Sequence, residues 1–349
     1  MECNLKDIDN SFRQHGIEAE DAFFAVSSFY IQYYKLNSKT RISAIKDKGQ
    51  IFLQRCQDDK SLINQLQNIV KNDPKGELLP VIYQFFLAKR FRDSSGKFFT
   101  PTTVAEAMAS ILPIKENAKI MDPTCGGGTF LLEVAKRWGT KDCVLIGNDI
   151  DEMLINLTEL VLSLGCGKNC KTILCNSNIY NPSSDIQKLF GKIDYVLANP
   201  PFSLVIETFD NQSKLFKNGY KNSDALFLDL ALKLLKSGGR LVCLLPHSIV
   251  SNNEYKQLRL IVEEDWDMEG VIILPEGVFQ LTSNTTTRAD IIILSKKGSD
   301  NANQKIVFAN APSIGISLKN RVINENVNHL HEILSTEEVI DAFHNSTVV

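Results

Sequence analysis

Apolar residues over the first 95 or so positions recur at mixed three- and four-residue spacings, in AFFAVSSFYIQYY (22–34), SLINQLQNIV (61–70) and LPVIYQFFLAKRF (79–91). Such spacing lines one face of a helix, and no alternating strand pattern interrupts it. Asp73-Pro74 and Pro80 mark turns or helix starts, and Arg92-Asp93-Ser94-Ser95-Gly96 has the composition of an exposed linker. A helical N-terminal domain over 1–95 is therefore predicted. From residue 118 the texture changes to short apolar runs separated by helical stretches. AKIMD (118–122) leads to a helix after Gly128, CVLIGND (143–149) to a helix through Leu164, and KTILC (171–175) to a polar loop. DYVLAN (194–199) and RLVCLLP (240–246) flank a long helix from about Ala225 to Leu235.

Near-continuous apolar strands that alternate with helices are buried on both faces, which predicts an α/β fold with a doubly wound, mostly parallel sheet. GVIILP (270–275), ADIIILSK (289–296) and QKIVFA (304–309) follow without a full helix between them and predict an antiparallel edge. The α/β domain is placed at 96–312. The remaining 313–349 form a C-terminal extension with one short acidic helix near 334–344.

The 349 residues are 44% hydrophobic and 23% charged, ordinary globular usage that excludes a disordered, collagenous or coiled-coil chain. With 38 basic against 41 acidic residues the net charge is -3, so any contact with a polyanion must be local or shared with a partner. No apolar run approaches the roughly 18 residues of a membrane span, and MECNLKDIDN lacks the pattern of a signal peptide, so no membrane partner and a cytoplasmic location are expected. Eight scattered cysteines, with Cys125 and Cys243 inside segments that read as buried, suit a reducing compartment. The spacing of Cys166, Cys170 and Cys175 is unlike the close pairs of a zinc site, and no metal is expected.

Candidate chemistry sits at the strand ends. Asp122-Pro123-Thr124-Cys125-Gly126-Gly127-Gly128-Thr129 joins a strand to a helix, with glycines that permit a tight turn and close approach of backbone to a ligand, and a helix N-terminus aimed at it. Leu131 stands where a dinucleotide fingerprint needs a third glycine, which weakens a hydride-transfer reading. Asp149, at the end of the next strand, is placed to take both hydroxyls of a ribose, with Ile150 following it. Taken alone, such a turn is as often purely structural. A third strand, Asp194–Ala198, runs into Asn199-Pro200-Pro201-Phe202.

With these residues in order, the chain resembles the N6-adenine DNA methyltransferases. DPTCGGG and NPPF match that family's cofactor and catalytic motifs, and Gly96-Lys97-Phe98-Phe99-Thr100-Pro101 resembles its segment ahead of the fold. The resemblance implies a Rossmann-like, S-adenosylmethionine-dependent methyltransferase fold. It implies Phe99, Thr100 and Pro101 at the methionine end of S-adenosylmethionine, and Asp122, Pro123, Cys125, Gly126, Gly128, Thr129, Asp149 and Ile150 around the rest of it. Either Asn176 or Asn178 would meet the cofactor's adenine. The chemistry explains the tetrapeptide. The exocyclic nitrogen of adenine is a poor nucleophile, and the Asn199 side-chain oxygen with the Pro200 carbonyl can accept its two hydrogens as positive charge develops. Pro200 and Pro201 fix that backbone in advance, and Phe202 offers a face for a base extruded from the duplex.

The helical N-terminus, Phe-Phe-Thr-Pro, and GRLVCLLPHSIV (239–250) resemble the modification subunit of type I restriction-modification systems. About 40 residues follow the last predicted strand, too few for a target-recognition domain of ~100 residues. Double-stranded DNA, a separate specificity subunit and a restriction subunit are the expected partners. Lys214, Lys217 and Lys221 lie in a long polar stretch (203–225) read as a mobile loop that touches phosphates, with an ordinary solvated loop as the alternative. Phe279 and the run 282–287 resemble the loop that in relatives helps to hold the flipped base, with a plain turn as the alternative. The competing functions are methylation of RNA adenine or a protein glutamine, and a non-catalytic assembly platform. Glutamine-modifying relatives usually end the tetrapeptide in tyrosine, and a platform would not need the intact catalytic positions.

Overall fold

The computed structural model describes residues 5–37, 41–92, 99–281, 287–298, 305–317, 322–323 and 327–345. The N-terminal region is helical throughout: α1 (Leu5–Gln14), α2 (Glu20–Tyr33), α3 (Ile42–Arg55), α4 (Lys60–Asn72) and α5 (Leu79–Arg92). Asp59 starts α4 by accepting from the Leu62 amide at 3.0 Å, an ordinary N-cap. The turn expected at Asp73-Pro74 is built around the buried Asp73 carboxylate, which accepts from the amides of Glu77 and Leu78 and from the Tyr30 hydroxyl at 2.6 Å.

The α/β part follows in the order α6 (Thr102–Ser110), β1 (Ala118–Asp122), α7 (Thr129–Trp138), β2 (Cys143–Asp149), α8 (Glu152–Gly165), β3 (Cys170–Asn176), α9 (Ser184–Gln187) and β4 (Ile193–Ala198). It continues with α10 (Lys214–Lys217), α11 (Ser223–Leu234), β5 (Leu235–Pro246), α12 (His247–Ser251), α13 (Lys256–Asp265), β6 (Trp266–Ile273), β7 (Ala289–Lys296) and β8 (Val307–Asn310). The chain closes with the two-residue strands β9 (Ile316–Ser317) and β10 (Val322–Ile323), then α14 (His329–Leu334) and α15 (Glu337–Ile340). Among the described residues one eight-stranded sheet runs β3-β2-β1-β4-β5-β7-β6-β8. Its pairs are parallel except β5–β7 and β7–β6. The expected antiparallel pairing is thus present, but β7 lies inside the sheet and not at its margin. Local pattern marks β7 as a strand and cannot say between which neighbours it inserts.

Burial on both faces explains the apolar runs. One core sits between the sheet and α6–α7, with Trp138, Leu145, Leu197 and Ile291, and another lies under α11 and α13, with Phe227, Leu241 and Trp266. The N-terminal helices contribute a third, and it is shared: Phe12, Phe23, Tyr83 and Leu66 pack with Leu154, Leu157, Leu160 and Val161 of α8. The last turns return to the sheet as well, since Phe343 is buried in the first core. Its carbonyl and that of Ile111 accept from Arg240 Nη1 at 2.8 and 3.0 Å.

Candidate active site

The sheet order reverses direction between β1 and β4. In a doubly wound sheet that reversal opens a crevice at the strands' C-terminal ends, where ligands bind. A cleft of about 260 Å³ lies there, lined by residues that include Phe99, Pro123, Gly126, Asp149, Ile150, Asn178, Asn199 and Pro201. Residues far apart in sequence meet because β1, β2, β3 and β4 all end on this edge.

The glycine turn forms one wall. Asp122, 1% exposed, accepts from the Thr124 amide through Oδ1, while its Oδ2 is buried without a hydrogen-bond partner. Burial pushes this carboxyl well above its ordinary range, and the nearby Asp149 charge adds to the rise. Gly126 and Gly128 take φ of +51° and +82°, the left-handed region. A Cβ at Gly126 would meet no protein atom within 4 Å, whereas one at Gly128 would press on Thr158 at 3.0 Å. The Thr158 hydroxyl in turn donates to the Gly126 carbonyl at 2.8 Å. The Asp149 carboxylate ties the turn to β2, accepting from the amides of Gly126 and Asp151, both at 2.9 Å. Ile150 beside it is 62% exposed, an apolar face left bare at the cleft.

Asn199 and Pro201 of the tetrapeptide also line the cleft. Asn199 Nδ2 donates to Thr100 Oγ1 at 3.1 Å, which leaves the amide oxygen as the acceptor end of the side chain. Phe99 packs near Tyr83 of α5 with ring centroids 6.0 Å apart, so the Phe99-Thr100-Pro101 segment bridges the helical region and the tetrapeptide. Pro101 caps α6, its carbonyl accepting from Val104 and Ala105. Gly96, Lys97 and Phe98 lie outside the described residues, as do 282–286 of the run after Phe279.

Several expected residues are placed elsewhere. Cys125 turns its thiol into the core beneath the turn, 3.7 Å from Thr158 Oγ1, and burial, with the Asp122 and Asp149 charges, raises its pKa, so it stays a protonated thiol. Thr129 is half-buried in the first turn of α7, away from the cleft lining. Of the two asparagines, Asn178 lines the cleft, while Asn176 is exposed and donates to the Asp149 carbonyl at 2.8 Å. Phe279 is fully buried, not a surface group, and meets Phe202 edge-on with centroids 5.9 Å apart. Phe202 itself is 5% exposed, so its ring shows no open face in this conformation.

The stretch 203–225 is not the free loop that its polarity suggested. Ile206 N donates to Lys221 O and Ser223 N to Leu204 O, both at 2.8 Å, and α10 forms at its tip. Lys214 pairs with Glu264 and Asp265 at 2.9 and 2.7 Å, an exposed pairing with which a phosphate would have to compete. Lys217 and Lys221 are exposed.

Sequence reasoning missed Asn148, Ser223 and Asp224. Asn148 is buried and donates to the carbonyls of Pro123 and Ser177, both at 3.0 Å, tying together the ends of β1, β2 and β3. A polar residue inside the apolar run CVLIGND was the available signal.

A bare apolar face, a second carboxylate at the end of β2, an unsatisfied buried carboxylate and a turn where a Cβ would enter open space together fit a nucleoside with a cationic tail. This is the construction of the S-adenosylmethionine-dependent methyltransferases. A Listeria monocytogenes protein assigned to class I of that group has the same fold, with a TM-score of 0.60 over 88% of this chain and 91% of its own at 21% identity. The family model for the N-6 DNA methylases matches residues 75–348, and the chain belongs to that family. It is accordingly an S-adenosylmethionine-dependent DNA adenine methyltransferase. The type II methyltransferase M.VspI of Vibrio sp. is 25% identical over 84% of this chain and 72% of its own length. The MjaVII methylase subunit of a type I restriction enzyme, from Methanocaldococcus jannaschii, is 26% identical over 78% of this chain and 49% of its own, so the chain spans about half of that relative. No helix among the described residues is long and apolar enough to cross a membrane.

Proposed function

We propose that the chain methylates N6 of an adenine extruded from double-stranded DNA, as the modification subunit of a restriction-modification system whose sequence choice rests with a separate specificity subunit. The observation that carries this reading is that Asn199 and Pro201 share one cleft with Gly126 and Asp149, where a methyl donor and a substrate amine would lie side by side. S-adenosylmethionine supplies the electrophilic methyl group. Asp122 would answer its ammonium, Asp149 its ribose, Ile150 the face of its adenine and Asn178 that ring's edge. On the acceptor side, Thr100 orients the Asn199 amide, whose oxygen and the Pro200 carbonyl take the two hydrogens of the amine, an interaction that strengthens as the nitrogen gains charge. Stacking of the base on Phe202 requires that ring to leave its contact with Phe279. The net charge of -3 supports delegated recognition, since phosphate affinity then comes partly from the partner.

The test is mass-spectrometric measurement of N6-methyladenine in the DNA of a host that expresses the chain with and without its neighbouring gene products, with Asn199→Ala as control. Methyladenine that appears with a partner and vanishes in the variant is expected. None under any combination, despite measurable cofactor binding, overturns the DNA reading.

A further inference from the structure

We propose that Ser223 and Asp224, in the first turn of α11, are positioning residues that lock the exit of the Asn199–Phe202 loop and select which of its carbonyls serves the substrate amine. The inference rests on reading that loop as the acceptor site. The loop poses a particular mechanical problem. Its two prolines have no N–H, so it cannot be held through its own central amides. At its exit, anchors can come from the Pro201 carbonyl and from the amides that follow, among them those of Ser203 and Leu204. These are the groups that the two residues take. The Ser223 hydroxyl donates to the Pro201 carbonyl at 2.6 Å and accepts from Leu204 N at 3.1 Å. Asp224 Oδ1 accepts from Ser203 N at 2.6 Å.

Two further features argue against an incidental helix cap. Ser203 has φ of +58°, a left-handed conformation that a non-glycine residue keeps only when its surroundings impose it. An acidic residue in a helix's first turn is usually exposed, yet Asp224 is 2% exposed and Ser223 fully buried, a burial that is costly for a carboxylate without strong partners. The N-cap, Asn222, makes no side-chain capping bond, and the polar side chains that follow reach out of the helix to the catalytic loop. The Tyr180 hydroxyl donates to the Ser223 carbonyl at 3.1 Å, and Tyr180 lines the cofactor cleft, so one strut touches both halves of the site. The Pro201 carbonyl already accepts from Ser223, which leaves the Pro200 carbonyl for the substrate amine beside Asn199. The latch therefore fixes the geometry of the acceptor pair without touching substrate or cofactor.

The experiment uses the full chain with whatever partner supports methylation. Hydrogen exchange of the peptide spanning 200–208 is followed by mass spectrometry, beside kcat and the cofactor Kd, in Ser223→Ala, Asp224→Ala and Asp224→Asn. In both alanine variants, exchange at the Ser203 and Leu204 amides should quicken about tenfold or more. The kcat should fall at least about tenfold while the cofactor Kd stays within about twofold. Asp224→Asn keeps an acceptor oxygen and should stay near the parent in all three. Unchanged exchange and kcat in Ser223→Ala would overturn the proposal. So would a common loss of cofactor binding and thermal stability in all three variants, which marks a merely structural role. If the parent methylates no adenine under any condition, the acceptor reading fails by itself, and the exchange rates still decide whether the latch exists.

Discussion

Gly126 and Gly128 share a left-handed backbone and differ in what surrounds them, so alanine at each should produce opposite phenotypes. The left-handed conformation costs an alanine roughly 1–2 kcal/mol at either position. At Gly126 that is the whole cost to the fold, because its Cβ meets no protein atom within 4 Å. At Gly128 the new Cβ lies 3.0 and 3.1 Å from Thr158 Cγ2 and Oγ1, and 3.3 Å from the Thr158 backbone, so the neighbour cannot simply swing away. Overpacking of this kind adds about 1–3 kcal/mol, for a total of about 2–5 kcal/mol. At roughly 2 °C per kcal/mol for a chain of this size, Gly126→Ala should lower Tm by about 2–4 °C and Gly128→Ala by about 4–10 °C. Calorimetry should rank them differently. The Gly126 methyl enters the cleft and should weaken S-adenosylmethionine binding by about tenfold or more, a loss of about 1.4 kcal/mol. Scanning fluorimetry of the apoprotein and titration calorimetry together test the assignment. Full cofactor affinity in Gly126→Ala would refute the placement of the cofactor against this turn, and equal stability of the two variants would refute the steric account.

The Asp122 carboxyl, raised by burial, holds its proton more tightly in the folded than in the unfolded chain, so apoprotein stability falls as pH rises above the ordinary value near 3.8. Asp122→Asn should therefore have a Tm at or above the parent's at pH 7.5, by a margin that shrinks toward pH 5, while binding cofactor about tenfold more weakly or worse; a pH-independent loss of Tm would contradict this. Lys217→Ala with Lys221→Ala should flatten the salt dependence of DNA binding, by about 0.9 in log–log slope for each phosphate no longer neutralised, and an unchanged slope would remove both lysines as phosphate ligands. Lys214→Ala, already paired with Glu264 and Asp265, should leave that slope alone. Arg240→Ala should cost about 3–5 kcal/mol in urea unfolding, because it strands buried Glu269 and deprives the Ile111 and Phe343 carbonyls of their donor; a loss under about 1 kcal/mol would show that the pair is compensated.

Much of the site was legible because its chemistry sits at strand ends, where an apolar run stops and a polar or glycine residue must do something specific. Asp122, Asp149 and Asn199 all end such runs, and the fold brings them to one edge. What escaped was relational. Apolar run length marks β7 as a buried strand and carries no information about its insertion between β5 and β6. Phe202 looked like a face for a base and Phe279 like part of a loop beside it, and only tertiary packing shows them buried against one another. The lysines of 203–225 looked alike until α13 placed Glu264 and Asp265 opposite one of them. Residues 93–96 of the expected linker lie outside the described residues, and the N-terminal helices share a core with α8.

That shared core has a consequence for how a partner would influence catalysis. The helices reach the site by two short routes. A Cβ at Gly127 would contact both Pro80 of α5 and Leu157 of α8 at 3.3 Å, and Tyr83 packs near Phe99, whose neighbour Thr100 orients Asn199. On the proposed reading, a subunit docked on these helices would act on the Asn199 amide through packing that already exists, because closely packed interiors transmit small displacements and do not absorb them. Phe202, buried against Phe279, would supply the other half of the requirement if a base stacks there as proposed, since the ring would have to move first. Cofactor binding needs only the first of these arrangements, whereas methyl transfer needs both. Affinity for S-adenosylmethionine should thus be nearly the same with and without the partner, while turnover depends on it.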